Sequence, residues 1–385
     1  MALLKDIADV QTGPFGSQLH KEDYVMEGTP IVTVEHLGNR VFTEQNLPMV
    51  SDKDRDRLSK YVLKEGDTVF SRVGSVDRCS YVDALHSGWM FSGRCLRVRP
   101  NDLVNPEYLY YFFTTEDTKQ LIRNIAVGAT MPSINTKILS EVDVPLPDLL
   151  IQKRIASVLS AIDEKIDINS KINRNLLEQS KTLYKSWFMD FDNTDGVMPQ
   201  DWHEGTVEEI IELHDSIRKP LSGNEREKLD KIYPYYGATS IMDYVDDYLF
   251  DGIYLLLGED GSVIDADGYP ILQYVFGKFW ANNHAHIITG KNGFSVEELY
   301  LLFSLTHVND IVTGAVQLKI SQQNLKKVEA VIPSKNALRD FDEIIQPMFG
   351  QIRKIRLENE KLTSLRDSLL PKLMSGELEV SDIDI

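Results

Sequence analysis

The chain has 385 residues, 42% of them hydrophobic, with two cysteines and a formal net charge of −18. That length suits about two or three domains, and two cysteines are too few for a disulfide framework or a four-ligand zinc site, which fits a reducing cytoplasm. The acidity argues against a nucleic-acid binder that uses its whole surface, because phosphate contacts need a local excess of Lys and Arg, and leaves room only for a local basic patch.

The start, Met1-Ala2-Leu3-Leu4-Lys5-Asp6, meets charge too early for a secretory leader, and no run of about 18 apolar residues could span a membrane. Short β-like runs come next at Ile31–Val34, Thr68–Ser71 and Cys95–Val98, with glycine turns between them and one helix expected over Tyr108–Ile125. Both cysteines, Cys79 and Cys95, read as half-buried strand residues. Arg72, Arg78, Arg94, Arg97 and Arg99 crowd one stretch of this first half. Pro145-Leu146-Pro147 then stops the strand pattern, and Asp148 offers an N-cap. The helix beyond it places Ile155, Val158, Ile162, Ile166, Ile172, Leu176, Leu183 and Trp187 on a coiled-coil seam. A linker rich in Asp, Gly and Pro runs from Asp190 to Trp202.

Beyond the linker the chain repeats itself. Gly128-Ala129-Thr130, Ile134, Leu139, Val142 and Pro147 recur at one constant shift as Gly314-Ala315-Val316, Ile320, Leu325, Val328 and Pro333. In the same way Val207–Ile210 mirrors Lys5–Ala8, Gly252 mirrors Gly66, and Leu299, Tyr300 and Phe303 mirror Leu109, Tyr110 and Phe113. After Pro333 a second seam is carried by Phe341, Ile345, Met348, Ile352, Ile355, Leu362, Leu369 and Leu373, with Pro347 expected to kink it. Asn169 and Asn359 interrupt the two seams, as buried polar residues do where register or partner must be fixed, and suggest that the two helices pack on each other. The fold class is therefore α+β: two similar globular domains, residues 1–147 and 190–333, joined by two long antiparallel helices, residues 148–189 and 334–377, in a pseudo-two-fold repeat. Helix pairing is assigned to Asn169, Asn359, Ile162, Ile166, Ile352 and Ile355.

Catalytic motifs are missing. No phosphate-binding glycine loop or dinucleotide fingerprint occurs, and Asn105-Pro106-Glu107-Tyr108 lacks the second proline of an amino-methyltransferase loop. Pro147-Asp148 with Asp163-Glu164-Lys165 imitates a metal-nuclease pattern, but Ile162 and Ile166 place the second part on the seam helix, where the charges read as its solvated face. His284-Ala285-His286 puts two histidines on one strand face; without a third ligand nearby no metal site is assigned, and base contact remains open. Gly13-Pro14-Phe15-Gly16-Ser17-Gln18 is a sharp turn that offers hydroxyl and amide groups to phosphates or base edges.

Gly13–Ser17, Pro145-Leu146-Pro147 through Gln152-Lys153-Arg154-Ile155-Ala156, Ile162–Ile166, Lys185-Ser186-Trp187-Phe188 and Met198-Pro199 to Trp202 together resemble the specificity subunits of type I restriction-modification systems over nearly the whole chain. The resemblance implies two target-recognition domains, each reading one half of a bipartite double-stranded DNA sequence, and helices that set the spacer and dock two modification (methyltransferase) subunits and the restriction subunits. It implies no catalysis and no cofactor in this chain; S-adenosylmethionine, ATP and Mg belong to the partners. Ser17, Gln18, Arg72, Arg78, Arg94, Lys278, His284 and His286 are the candidate DNA contacts. The second copy departs from the pattern, with Asp215–Gly223 in place of Gly13–Ser17. The rival reading is an adaptor whose duplicated domains bind protein.

Overall fold

The computed structural model describes residues 1–16, 18–314 and 316–380, the side chain of Lys21 excepted. They form two units: Met1–Asp167 with the chain from Glu360 onward, and Ile168–Asn359.

The first unit is built on an antiparallel sheet of β1 (Ala8–Thr12), β2 (Thr68–Ser71), β3 (Cys79–Tyr81) and β4 (Cys95–Pro100), in the order β1-β4-β2-β3. Side chains alternate across a strand, and here both faces are covered. Phe70 and Leu96 enter one core with the helix α1 (Pro106–Thr114), where the Phe70 and Phe113 rings meet edge to face at 4.7 Å. Val69 and Cys95 enter a second core with Ile31, Val32, Met90 and Phe91. The single helix expected over Tyr108–Ile125 is two, α1 and α2 (Glu116–Ile125). Thr115 ends the first in an extended conformation, and its hydroxyl accepts the Thr118 N–H to cap the second. Both cysteines are fully buried rather than half-buried, and burial pushes each thiol up to about 12.

The second unit carries a larger sheet: β5 (Ile211–Leu213), β6 (Tyr233–Tyr236), β7 (Ile241–Val245), β8 (Phe250–Gly258), β9 (Leu272–Ala281) and β10 (Ala285–Gly290), in the order β5-β10-β8-β9-β6-β7. Leu255 and Leu257 pack into a core with Leu299 and Phe303 of a further helix (Val296–Ser304), while Leu256 faces a separate cluster with Phe250 and Phe279.

The same backbone hydrogen bonds frame both units. Leu4 N–H donates to the Val142 carbonyl at 2.9 Å and Asn101 N–H to Ile7 at 2.8 Å; Val207 N–H donates to Val328 at 2.8 Å and Lys291 N–H to Ile210 at 2.9 Å. Ile7 thus corresponds to Ile210, one residue away from the match read in the sequence. Gly66 and Gly252 are not equivalent either: Gly66 lies in the turn before β2, whereas Gly252 is inside β8.

Two helices, Leu149–Phe188 and Lys335–Ser375, have 40 and 41 residues. Within the first unit their segments run antiparallel, Ile155 lying beside Leu373 and Met374 while Asp163 meets Arg366. Within the second, Asn169 donates to the Asn359 carbonyl oxygen at 2.8 Å, Ser180 touches Met348, and Tyr184 packs on Phe341. Ile352 and Ile355 are buried, and Ile162 packs against the first unit's core. Ile172 does not belong to the seam: it is exposed, and Asn169, Asn173 and Ser180 point inward instead. Stepping inward from Asn169 by helical periods reaches Asn173, so Ile172 is turned away by one residue. Pro347 lies on the exposed side of a helix that continues through it. Asp163, expected in solvent, is buried, accepting from Tyr111 Oη at 2.7 Å and Arg366 at 2.8 Å.

Candidate nucleic-acid interface

In the first unit the ends of β2 and β4 bring Arg72 and Arg94 together, the Arg72 N–H donating to the Arg94 carbonyl at 2.8 Å and Ile134 N–H donating to Arg72 at 3.0 Å. The Gly13–Gly16 turn lies directly on this place. A Cβ on Gly13 would collide with the Ser92 carbonyl and one on Gly93 with the Pro14 carbonyl, so the two backbones approach as only glycine allows. That approach sets the Phe15 ring, itself 53% exposed, against the Arg72 guanidinium at 5.5 Å, while Arg72 Nη1 donates to the Gly93 carbonyl at 3.2 Å.

Of the five clustered arginines, two are structural. Arg97 is buried against Asp9, and Arg99 binds Asp67 through two nitrogens, at 2.7 and 2.6 Å. No carboxylate pairs with Arg72, Arg78 or Arg94 among the described residues. Arg94 and Arg78 are exposed, although Arg78 spends one N–H on the Leu37 carbonyl. Gln18 stands beside the turn with its side-chain oxygen taken by Tyr61 Oη at 2.7 Å. Ser17 lies outside the described residues.

The second unit repeats the frame with different chemistry. Glu259 N–H donates to the His284 carbonyl at 2.8 Å and Ile320 N–H to Glu259 at 2.9 Å, so Glu259 stands where Arg72 does and His284 where Arg94 does. The loop that replaces the glycine turn again reaches this position, now with Arg218, whose Nη1 donates to Glu259 at 2.7 Å and to the Ala285 carbonyl at 2.6 Å. Lys319 adds a second cation at 3.3 Å.

His286 requires correction as a DNA contact. It is wholly buried, with Nδ1 2.6 Å from Asp215 Oδ2 and Nε2 2.8 Å from the Ile320 carbonyl. The Ile320 carbonyl can only accept, so Nε2 carries a proton and offers no lone pair to a metal, while Nδ1 faces the Asp215 carboxylate. Asp215, Glu259 and His286 are the only metal-compatible cluster among the described residues, and Arg218, Lys319 and the Gln322 amide already occupy it. Burial alone would raise the Asp215 carboxyl, but the His286, Ile287 N–H and Gln322 bonds outweigh it and hold the group below its ordinary value. His284 remains half-exposed, its Nδ1 bonded to Asp260.

Lys278 also lies elsewhere. It pairs with Asp251 on the β8–β9 ladder, six residues from the Leu257–Leu272 pair that adjoins Glu259, about 20 Å along the strands. Its ammonium sits 4.4 Å over the Tyr248 ring, in a stretch that carries Asp243, Asp246, Asp247 and Asp251. Glu259 and Arg218, which sequence reasoning missed, could have been found only by aligning the two copies through their hydrogen bonds.

The residues 2–178 and 199–366 each match the family model of the type I restriction modification DNA specificity domain, so the chain belongs to the family of type I restriction-modification specificity subunits. It is 26% identical to the type I restriction enzyme MjaIX specificity subunit of Methanocaldococcus jannaschii, covering 99% of this chain and 93% of that one. It is 23% identical to the HindI specificity subunit of Haemophilus influenzae, over 85% and 89% of the two chains. In fold it is similar to the S subunit of the type I restriction-modification system of M. genitalium, with a TM-score of 0.59 and 17% identity over 97% of this chain and 95% of that one. These relatives give the adaptor reading no support. No helix among the described residues is long and apolar enough to cross a membrane.

Proposed function

We propose that the two units read the two halves of a bipartite double-stranded DNA target, each through the surface at its Arg72–Arg94 or Glu259–His284 position. The observation that carries this reading is the shared hydrogen-bond frame with exchanged side chains: one scaffold presents unpaired cations in the first unit and a neutralised carboxylate with a half-exposed histidine in the second. Different donors and acceptors in the same place are what reading two unlike sequences requires. In this reading residues 148–189 and 334–377 set the spacer and dock two modification subunits and the restriction subunits, in the cytoplasm. Methyl transfer with S-adenosylmethionine, and ATP- and Mg-dependent work, belong to those partners, and this chain is non-catalytic.

With a net charge of −18, the chain alone binds DNA weakly, and much of the phosphate clamp comes from the partners. The test is methylation sequencing of cells expressing the chain with its cognate modification subunit. A bipartite motif of methylated adenines that depends on this chain supports the reading. An unchanged methylation pattern despite a stable complex contradicts it.

A further inference from the structure

Resting on that reading, we propose that Arg72 is the residue through which the first unit recognises a guanine, with Phe15 as its positioning residue and Arg78 and Arg94 serving the flanking phosphates.

Four observations converge. First, Arg72 has no carboxylate partner among the described residues, in a chain where most arginines of this unit are consumed internally, as Arg40, Arg97, Arg99 and Arg123 are. Second, its plane is fixed on two sides, by the Phe15 ring and by the Gly93 carbonyl, and that bond uses one of five N–H donors. A guanidinium held in one plane loses little rotamer freedom on binding, and its fork matches the paired O6 and N7 acceptors of guanine in the major groove. Third, Arg78 and Arg94 reach the surface with no stacking ring among the described residues, Arg78 tied by one N–H to the Leu37 carbonyl, and exposed cations suit phosphates, which need charge rather than a fixed plane. Fourth, the neighbouring loop is shaped as a presenting edge. Val127 and Met131 are 62% and 67% exposed, and the turn is closed by Gly128, at φ +110°, where a Cβ would collide with the Met131 carbonyl. Gly74 N–H and the Arg72 carbonyl tie this loop to the arginine through Pro132 and Ile134.

The second unit supplies the internal contrast. Glu259 fills the place of Arg72, and Arg218 and Lys319 neutralise it, so no free guanidinium fork is offered there.

The test uses the chain assembled with its modification subunit and reads the methylated motif by sequencing for Arg72→Ala, Arg72→Gln, Phe15→Leu and Arg94→Ala. The expected wild-type motif holds a G·C pair in one half-site that Arg72→Ala makes degenerate, discrimination there falling about tenfold or more, while the other half and the spacer stay fixed. Arg72→Gln shifts the same position toward adenine, whose N6 and N7 suit an amide. Phe15→Leu relaxes the same position less, and Arg94→Ala lowers methylation evenly without altering the motif. The proposal is overturned if Arg72→Ala and Arg72→Gln keep the wild-type motif with evenly reduced methylation, which marks a phosphate contact, or if they lose a position in both halves. A wild-type chain that yields no bipartite motif overturns the recognition reading itself, and the guanine contact with it.

Discussion

The two units hold their long helices with opposite charge arrangements. In the first, Arg40 belongs to the sheet domain and reaches carboxylates, lying 3.2 Å from Glu107, 3.9 Å from Asp163 and 3.8 Å from Asp167, the last two on the helix. In the second, the arginines are on the helix: Arg353 meets Glu297 at 2.7 Å and Arg356 donates to the Tyr274 carbonyl at 3.0 Å. Glu107 and Glu297 are the second residues of matching helices, so one glutamate is served from its own domain in one copy and from the long helix in the other. Duplication preserved the backbone and let the charges diverge, at the latch as at the reading surface.

The contrast between the two latches breaks hardest at Asp163. Replacing it with alanine leaves Tyr111 Oη without its acceptor and Arg366 with Asp367 alone, and should cost about 1 to 3 kcal/mol, the range for stranding a buried hydrogen-bonding group. Denaturant unfolding followed by limited proteolysis should show the first unit opening early while the second keeps its midpoint. Equal loss in both units would mean that the latches are not separate.

The one carboxyl raised far enough to titrate near pH 8 among the described residues lies in the second unit. Burial, then the neighbouring Asp342 charge, pushes the Glu298 carboxyl up to about 8, and its Oε1 has no hydrogen-bond partner. A carboxyl whose pKa is raised on folding stabilises below its unfolded value, near 4.5, and loses that contribution as pH climbs through about 8. Thermal unfolding should show the second unit weakening as pH rises from about 5 to about 8 and levelling off above that, and Glu298→Gln should flatten that slope. A slope that survives the substitution would assign it to another group.

The asparagine contact gives a smaller effect. Asn169→Leu removes the donor to the Asn359 carbonyl oxygen and to Glu358 and should cost about 1 to 2 kcal/mol, whereas the double change to leucine should recover part of it, since the Asn359 carbonyl leaves with its donor. Chemical unfolding of the two variants compares them directly. Smallest of all, Cys79 and Cys95 should not react with a thiol reagent at neutral pH until the chain unfolds, because burial keeps the thiolate scarce.

The strand at Thr68–Ser71, the duplication and the long helices were legible because each is a periodic or repeated pattern, and the seam asparagines because a polar residue stands out in an apolar line. Contacts between distant segments were not. His286 and Arg97 look like surface groups until Asp215 and Asp9, far away in sequence, are seen to bind them. Ile172 misled for a different reason, since an apolar residue one step off the seam satisfies a loose spacing while facing water. The role of Gly13 became physical only when Ser92 and Gly93 were found against it.

That each unit reads its own half is tested most directly by a double-mutant cycle on the assembled methyltransferase. Affinity would be measured for the wild type and Arg72→Ala against duplexes altered at the assigned G·C pair in one half-site or at one position in the other. Separate reading makes the arginine and the G·C pair coupled, each change mattering little once the other is made, while Arg72→Ala and the change in the other half-site are additive. Coupling to both half-sites, or to neither, would contradict it.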